Sequence, residues 1–341
     1  MTLGKVAERA GVAVDTARKV LRKDPSVRPY IRERVLKAVK ELDYQPNLVA
    51  RALRGDGLKI VPIAVRTLGE FYFGALASQI SHHLVDIGME PALCFNAEHL
   101  MKMCRSFSTN GSILVLREDY ETVHELSRRQ KVVTIDSLLP AIPSVGNVSI
   151  DFDAIYRHLA ETLLKRGRRR IAVDSGHYQR CLEKGWPIQK VPAVFDVLAE
   201  AGLDTVGPAS RHVFGSSQEL VAWIDAHPKS IDAIICENDL EAARVIGELA
   251  ARGLKTPDDV LVVGCDANCK LAGMWSVKLD THQIAGHAVS ILKRLLDGER
   301  VRENPEYMPE LLDEFDQPIP LPGIAPTPAT KRKKQNSGAK P

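Results

Sequence analysis

Five residues near the start of the chain, Val14, Asp15, Thr16, Arg18 and Lys19, gather in one short stretch the groups that can read the edge of a base pair. Lysine donates to guanine, though without the bidentate fork of arginine, and a carboxylate accepts from cytosine N4. Val14 offers a methyl contact to thymine, and Arg18 adds positive charge near phosphates. Asp15 has a second reading, because an acid in a first helical turn is favoured by the helix field alone. A different chemistry is scattered through the rest of the chain in Phe71, Tyr72, Phe73, Lys190, Phe214, Asn238, Asp239, Asp266 and Trp275. Aromatic faces beside carboxylates and amides suit a polyol such as a sugar. Phe71, Tyr72 and Phe73 read equally well as core, and Asp239 equally well as a helix cap. His82, His83, His177 and His282 come without an HExxH pair, a serine elbow or a phosphate-binding glycine loop. They read as surface or core fillers, with no catalytic residue, metal or cofactor expected.

The first stretch needs a scaffold, and the sequence supplies one. Val6, Ala7 and Ala10 lay an apolar stripe on a first short helix, and Gly11 stands where its exit needs a left-handed residue. Thr16, Ala17, Val20 and Leu21 give a second helix its own face. Two short helices around a tight glycine turn form a helix-turn-helix, whose second helix enters the major groove. A third helix, with Pro29 just outside it and Val35, Leu36, Val39 and Leu42 on one face, stops at Tyr44-Gln45-Pro46. Charge agrees with a polyanion partner. Residues 1–59 carry 14 Lys/Arg against 7 Asp/Glu, residues 331–341 carry five Lys/Arg and no acid, and the stretch between is acidic.

With 341 residues there is room for two or three domains. After Gly57 short β-rich runs alternate with amphipathic helices. Strands are predicted at Ile60–Val65, Pro91–Phe95, Ser112–Leu116, Val132–Ile135, Val148–Ile150, Arg170–Asp174, Ile231–Cys236 and Val260–Gly264. Such alternation predicts parallel sheets covered by helices, in two similar lobes. Neither a secretory leader nor a membrane span is visible, and six scattered cysteines read as reduced thiols in a cytoplasmic protein. From Pro318 the chain turns proline-rich and then basic at Lys331-Arg332-Lys333-Lys334, which predicts a disordered tail.

The spacing T-L-x-x-V-A-x-x-A-G-V-x-x-x-T, followed by E-L-x-Y-x-P-N-x-x-A-x-x-L, resembles the headpiece of the lactose/galactose-repressor family. Residues 162–174, 233–239 and 253–266 resemble runs in the family's body, so that the likeness covers residues 2–300 or so. The resemblance implies a mixed fold: an all-α helix-turn-helix headpiece and an α/β two-lobed body like a periplasmic binding protein, with an effector cleft. The domains would be a DNA-binding domain at 1–45, a hinge helix and linker at 46–58, an effector-binding and dimerisation body at 59–317 and a tail at 318–341. It also implies DNA contacts from Thr2, Leu3, Tyr44, Asn47, Ala50 and Leu53, the two Leu53 side chains of a homodimer wedging into the minor groove of a palindromic operator.

Departures from the family pattern are visible. Ala13 stands where a capping serine is usual, Lys19 where arginine is, and Arg18 where a small polar residue is. The usual Asn-Pro-aromatic run is Glu70-Phe71-Tyr72-Phe73, and the usual R-x-x-G is Lys190-Val191-Pro192-Ala193. The implied function is a sequence-specific transcriptional regulator, a repressor modulated by a small sugar-like effector. The alternatives are an effector-independent DNA-binding protein whose body only dimerises, and a small-molecule binding protein.

Overall fold

The computed structural model describes residues 1–21, 24–44, 59–107, 109–115, 120–138, 142, 144–185, 187–203, 213–301 and 305–322. The chain forms two compact units, Met1–Ile60 and Val61–Pro341.

The described residues of the first unit form α1 (Leu3–Ala10), α2 (Val14–Leu21) and α3 (Pro29–Glu41). The Thr2 hydroxyl caps α1 by accepting from the Lys5 amide. Gly11 ends α1 at φ 60°, and a side chain there would be strained and would also meet Arg34 Nη2 at 2.6 Å. That guanidinium donates to the Ala10 carbonyl at 2.6 Å, so α3 clamps the turn between α1 and α2. Val6, Ala7, Ala10, Ala17, Val20, Val35 and Ala38 form the core, with Leu3 and Tyr44 packed against it. Pro29 is the first residue of α3 instead of lying outside it, since a first-turn position needs no amide hydrogen. Leu36, expected on the apolar face, is exposed.

The second unit begins with β1 (Ile60–Val65), α4 (Phe71–Asp86), β2 (Glu90–Cys94), α5 (Ala97–Phe107), β3 (Gly111–Val115), α6 (Tyr120–Ser127), β4 (Lys131–Ile135) and β5 (Val145–Ile150). A second lobe follows with α7 (Phe152–Lys165), β6 (Ile171–Asp174), α8 (Gly176–Lys184), α9 (Lys190–Glu200), β7 (Val213–Phe214), α10 (Ser217–Ala226), β8 (Ala233–Cys236), α11 (Asp239–Ala251), β9 (Leu261–Asp266) and β10 (Trp275–Lys278). The chain then returns to the first lobe as α12 (Thr281–Leu296) and β11 (Glu306–Tyr307), and to the second as β12 (Glu310–Leu312) and β13 (Pro318–Ile319).

The strand orders are β11-β5-β4-β3-β1-β2 and β13-β12-β10-β9-β8-β6-β7. Each lobe thus repeats one core order, in which the first strand sits between the second and third. The predicted similarity of the lobes is a similarity of topology. Pairings β1–β3, β3–β4, β4–β5, β6–β8, β8–β9 and β9–β10 are parallel, as continuous apolar strands under helices on both faces require. α12 lies on the first sheet so closely that a Cβ at Gly146 would sit 2.3 Å from Ile291.

Pro318 and Ile319 pair with Leu312 and Leu311, so the expected start of the tail at Pro318 falls inside the sheet. The basic run at 331–334 lies outside the described residues. No helix among the described residues is long and apolar enough to cross a membrane.

Candidate functional site

On α2 the core-facing Ala17 and Val20 leave the opposite side to Val14, Asp15, Arg18 and Lys19. Val14 is 43% exposed, unusual for a valine in a helix that has a core to join. Arg18 Nη1 donates to Asp15 Oδ1 at 2.7 Å. Thr16 is half-buried. Of the other expected contacts, Thr2 is committed to its cap, while Leu3 and Tyr44 spend their apolar surface on the headpiece core. Asn47, Ala50 and Leu53 lie outside the described residues. The exposed band on α2 has the chemistry to meet base edges: one apolar contact, two cations and one acceptor.

The second constellation is a cleft of about 450 Å³ within the body. It opens at the carboxyl ends of strands from both sheets, where open α/β folds place ligands. From the first lobe come Arg66, Tyr72, Phe73, Phe95 and Asp136, and from the second Ser175, His177, Glu237, Asn238 and Asp266. Phe152 and Tyr156 of α7 and Lys190 of α9 form part of its wall. Lys190 Nζ lies 4.2 Å from the centre of the Phe152 ring and 5.6 Å from that of Tyr156. It donates to Cys265 Sγ at 3.5 Å. Burial draws the Lys190 pKa down, but Cys265, Asp266, Asp136 and Glu237 more than offset this and hold it above the ordinary lysine value. Burial pushes the Asp266 carboxyl up to about 6, against the pull of Lys190, and pushes the Cys265 thiol up to about 12. Arg66 grips both Glu70 oxygens, at 2.6 and 2.7 Å, and lies over the Phe73 ring. Tyr72 lines the cleft and carries a buried hydroxyl with no hydrogen-bond partner among the described residues. Asp136 and Asp266 have left-handed backbones, φ 54° and 95°, a conformation that clusters at ligand clamps.

Sequence reasoning placed Tyr72, Phe73, Lys190, Asn238 and Asp266 here, and the structure brings these five together. Four others go elsewhere. Phe71 opens α4 and is 55% exposed. Phe214 packs on Trp223 in a separate core on the far side of the second sheet. Asp239 is the buried first residue of α11, accepting from Ser276 Oγ at 2.7 Å and the Cys269 amide at 3.2 Å. The helix cap is its neighbour Asn238, which accepts from the Glu241 amide at 3.0 Å. Trp275 is fully buried in β10, its indole donating to Glu314 at 2.6 Å. The reading missed Arg66, Asp136, Phe152, Tyr156, His177 and Glu237. Asp136, His177 and Glu237 follow strand ends closely and could have been found by that rule alone.

A helix-turn-helix with a solvent-facing second helix, followed by two Rossmann-like lobes around a cleft, defines a class of two-domain DNA-binding transcriptional regulators. Comparisons with known proteins agree. Residues 2–47 match the model of bacterial regulatory proteins of the lacI family, and residues 160–313 match that of a periplasmic binding protein-like domain. Catabolite control protein A of Priestia megaterium is 24% identical over 93% of this chain and 98% of its own length. The HTH-type transcriptional repressor PurR of Vibrio parahaemolyticus is 27% identical over 91% and 97%. Among solved structures, a lac repressor dimer bound to operator and the anti-inducer ONPF superposes with a TM-score of 0.74 at 20% identity, covering 91% of this chain and 97% of that one. The complex of the transcriptional regulator CelR with cellobiose gives 0.61 at 23% identity, covering 91% and 97%. The chain is thus similar to transcriptional regulators of the lacI family along more than nine-tenths of its length.

Proposed function

We propose that the protein is a cytoplasmic repressor acting as a homodimer, each copy laying α2 in a major groove of a palindromic operator, with a small polyol bound in the cleft to set operator affinity. The observation that carries this reading is the cleft: carboxylates, a lysine and aromatic faces converge from two lobes in a chain that also presents a base-reading helix. Aromatic groups lining the cleft meet the apolar face of a sugar, while Asp136, Asp266 and Lys190 exchange hydrogen bonds with its hydroxyls. A ligand bridging the lobes favours one lobe arrangement and so biases the dimer between states of different operator affinity. The relatives support this, one solved on operator as a dimer and another with a disaccharide. No chemical step is assigned to the cleft.

Selection of duplexes from a random library, followed by titration calorimetry with a panel of sugars and nucleosides, tests the reading. A palindrome, and heat with at least one polyol that shifts operator affinity, is the expected result. A monomer without sequence preference at moderate salt overturns the DNA part. Operator binding that no ligand shifts returns the body to a dimerisation role.

A further inference from the structure

The outward band of α2 runs around the helix in the order Val14, Arg18, Asp15, Lys19, set by the 3.6-residue repeat. Inside that band Arg18 and Asp15 are joined at 2.7 Å, with side chains 33% and 65% exposed. An exposed pair of this kind contributes little to helix stability, and the helix field that also favours Asp15 acts on any acid in the first turn, so neither accounts for an acid braced to a cation in the middle of a face that meets a polyanion. Two physical consequences follow from its place. The carboxylate costs affinity on any duplex that fails to offer it a donor, and in the major groove the donors are cytosine N4 and adenine N6. It also holds the guanidinium of Arg18 in one orientation, lowering the ordering cost of a bidentate contact. The planar fork so held matches N7 and O6 of guanine.

We infer that Asp15 and Arg18 read sequence as a unit: Arg18 donates bidentately to a guanine, and Asp15, braced against it, accepts from the amino group of an adjoining cytosine or adenine. Asp15 is then a specificity determinant by exclusion, since an adjoining base that shows only acceptors faces a carboxylate. The inference rests on the DNA-reading role of the headpiece and adds the bases that this chain's own departure at Arg18 selects.

The test uses the full chain and a random duplex library, with wild type, Asp15→Ala and Arg18→Lys compared by selection and by affinity against salt. Wild type is expected to select a guanine beside an amino-bearing base in each half-site. Asp15→Ala should keep binding and lose at least about tenfold of the discrimination at the amino-bearing position. Its affinity for random duplex should rise, with a log–log salt slope steeper by about 0.9, as Arg18 becomes free to neutralise a phosphate. Arg18→Lys keeps the charge and should lose about tenfold or more of the guanine preference. Identical base preferences in wild type and Asp15→Ala, with binding shifted equally on all sequences, reduce the pair to a helix-surface contact and overturn the inference. A wild type without any base preference overturns the DNA-reading role itself, so the two failures are distinguishable.

Discussion

In the headpiece the groups available to a ligand lie between Val14 and Lys19 on one helix, and the residues beneath them are small. In the body the cleft draws Arg66, Asp136, Phe152, Lys190, Glu237 and Asp266 from separate strands and helices, over a continuous core of large apolar side chains. In the first arrangement a side-chain change reaches no further than a neighbour on the same helix, as Asp15 reaches Arg18, because the helix backbone positions the rest. The second makes position a property of the whole body: a fault in either sheet moves several cleft groups at once. Reading of sequence can therefore diverge quickly on this scaffold, whereas reading of a small molecule is bound to the packing of the lobes.

That contrast can be broken at its strongest point with Trp275→Ala. The residue is fully buried and braced by Glu314 and Arg166, so the body should lose about 3–5 kcal/mol in denaturant unfolding. Lost ligand binding at unchanged stability would instead make Trp275 a cleft residue.

Asp174 gives a smaller effect with a defined pH dependence. Burial, reinforced by Glu241, Glu237 and Glu219, pushes its carboxyl up to about 6, and its Oδ2 has no hydrogen-bond partner among the described residues. A folded-state pKa raised above the unfolded value contributes stability below about pH 4 that is lost as pH rises through 6. Asp174→Asn removes that loss and should stabilise the body by up to about 3 kcal/mol at pH 7.5, with no gain at pH 4. Equal gains at both values would show that ionisation is not the cause.

Lys190→Met sharpens the comparison inside the cleft. It should weaken effector binding by about tenfold or more through loss of a charged donor, and leave ligand-free operator affinity unchanged. A matching fall in operator affinity would mean that Lys190 supports the lobes themselves. The smallest change belongs to the headpiece. Ala13 precedes α2 and offers no side-chain oxygen to its first turn, so Ala13→Ser should raise headpiece stability by about 1 kcal/mol without altering the cleft. Titration with effector and with operator reads the first variant, and a thermal melt beside wild type reads the second.

The headpiece was legible because its signals are local: Val6, Ala10, Ala17 and Val20 fall on helical spacing and Gly11 marks the turn. Buried parallel strands such as β1 and β9 were equally plain as apolar runs. Two helices escaped the reading, α5, where Leu100 alone is fully buried, and α8, where Cys181 alone is. β10 escaped because Ser276 and Lys278 interrupt the apolar run that marked the equally short β6 and β8, and its tryptophan read as a ligand contact. In the cleft, Phe152 and Tyr156 sit at i, i+4 on an amphipathic helix and carry the same pattern as core. Only the placement of α7 beside Lys190 turns their ring faces toward a cation.

The chain's returns between the lobes have a consequence for how the protein is made. β11 completes the edge of the first sheet, and β12 and β13 complete the second, all from residues beyond Asn304. Neither lobe is a contiguous stretch, so neither can finish folding while that last segment is still inside the ribosome. Synthesis of the segment 306–319 is thus the step that closes both halves together, and a nascent chain released before it carries two open sheet edges instead of one finished lobe.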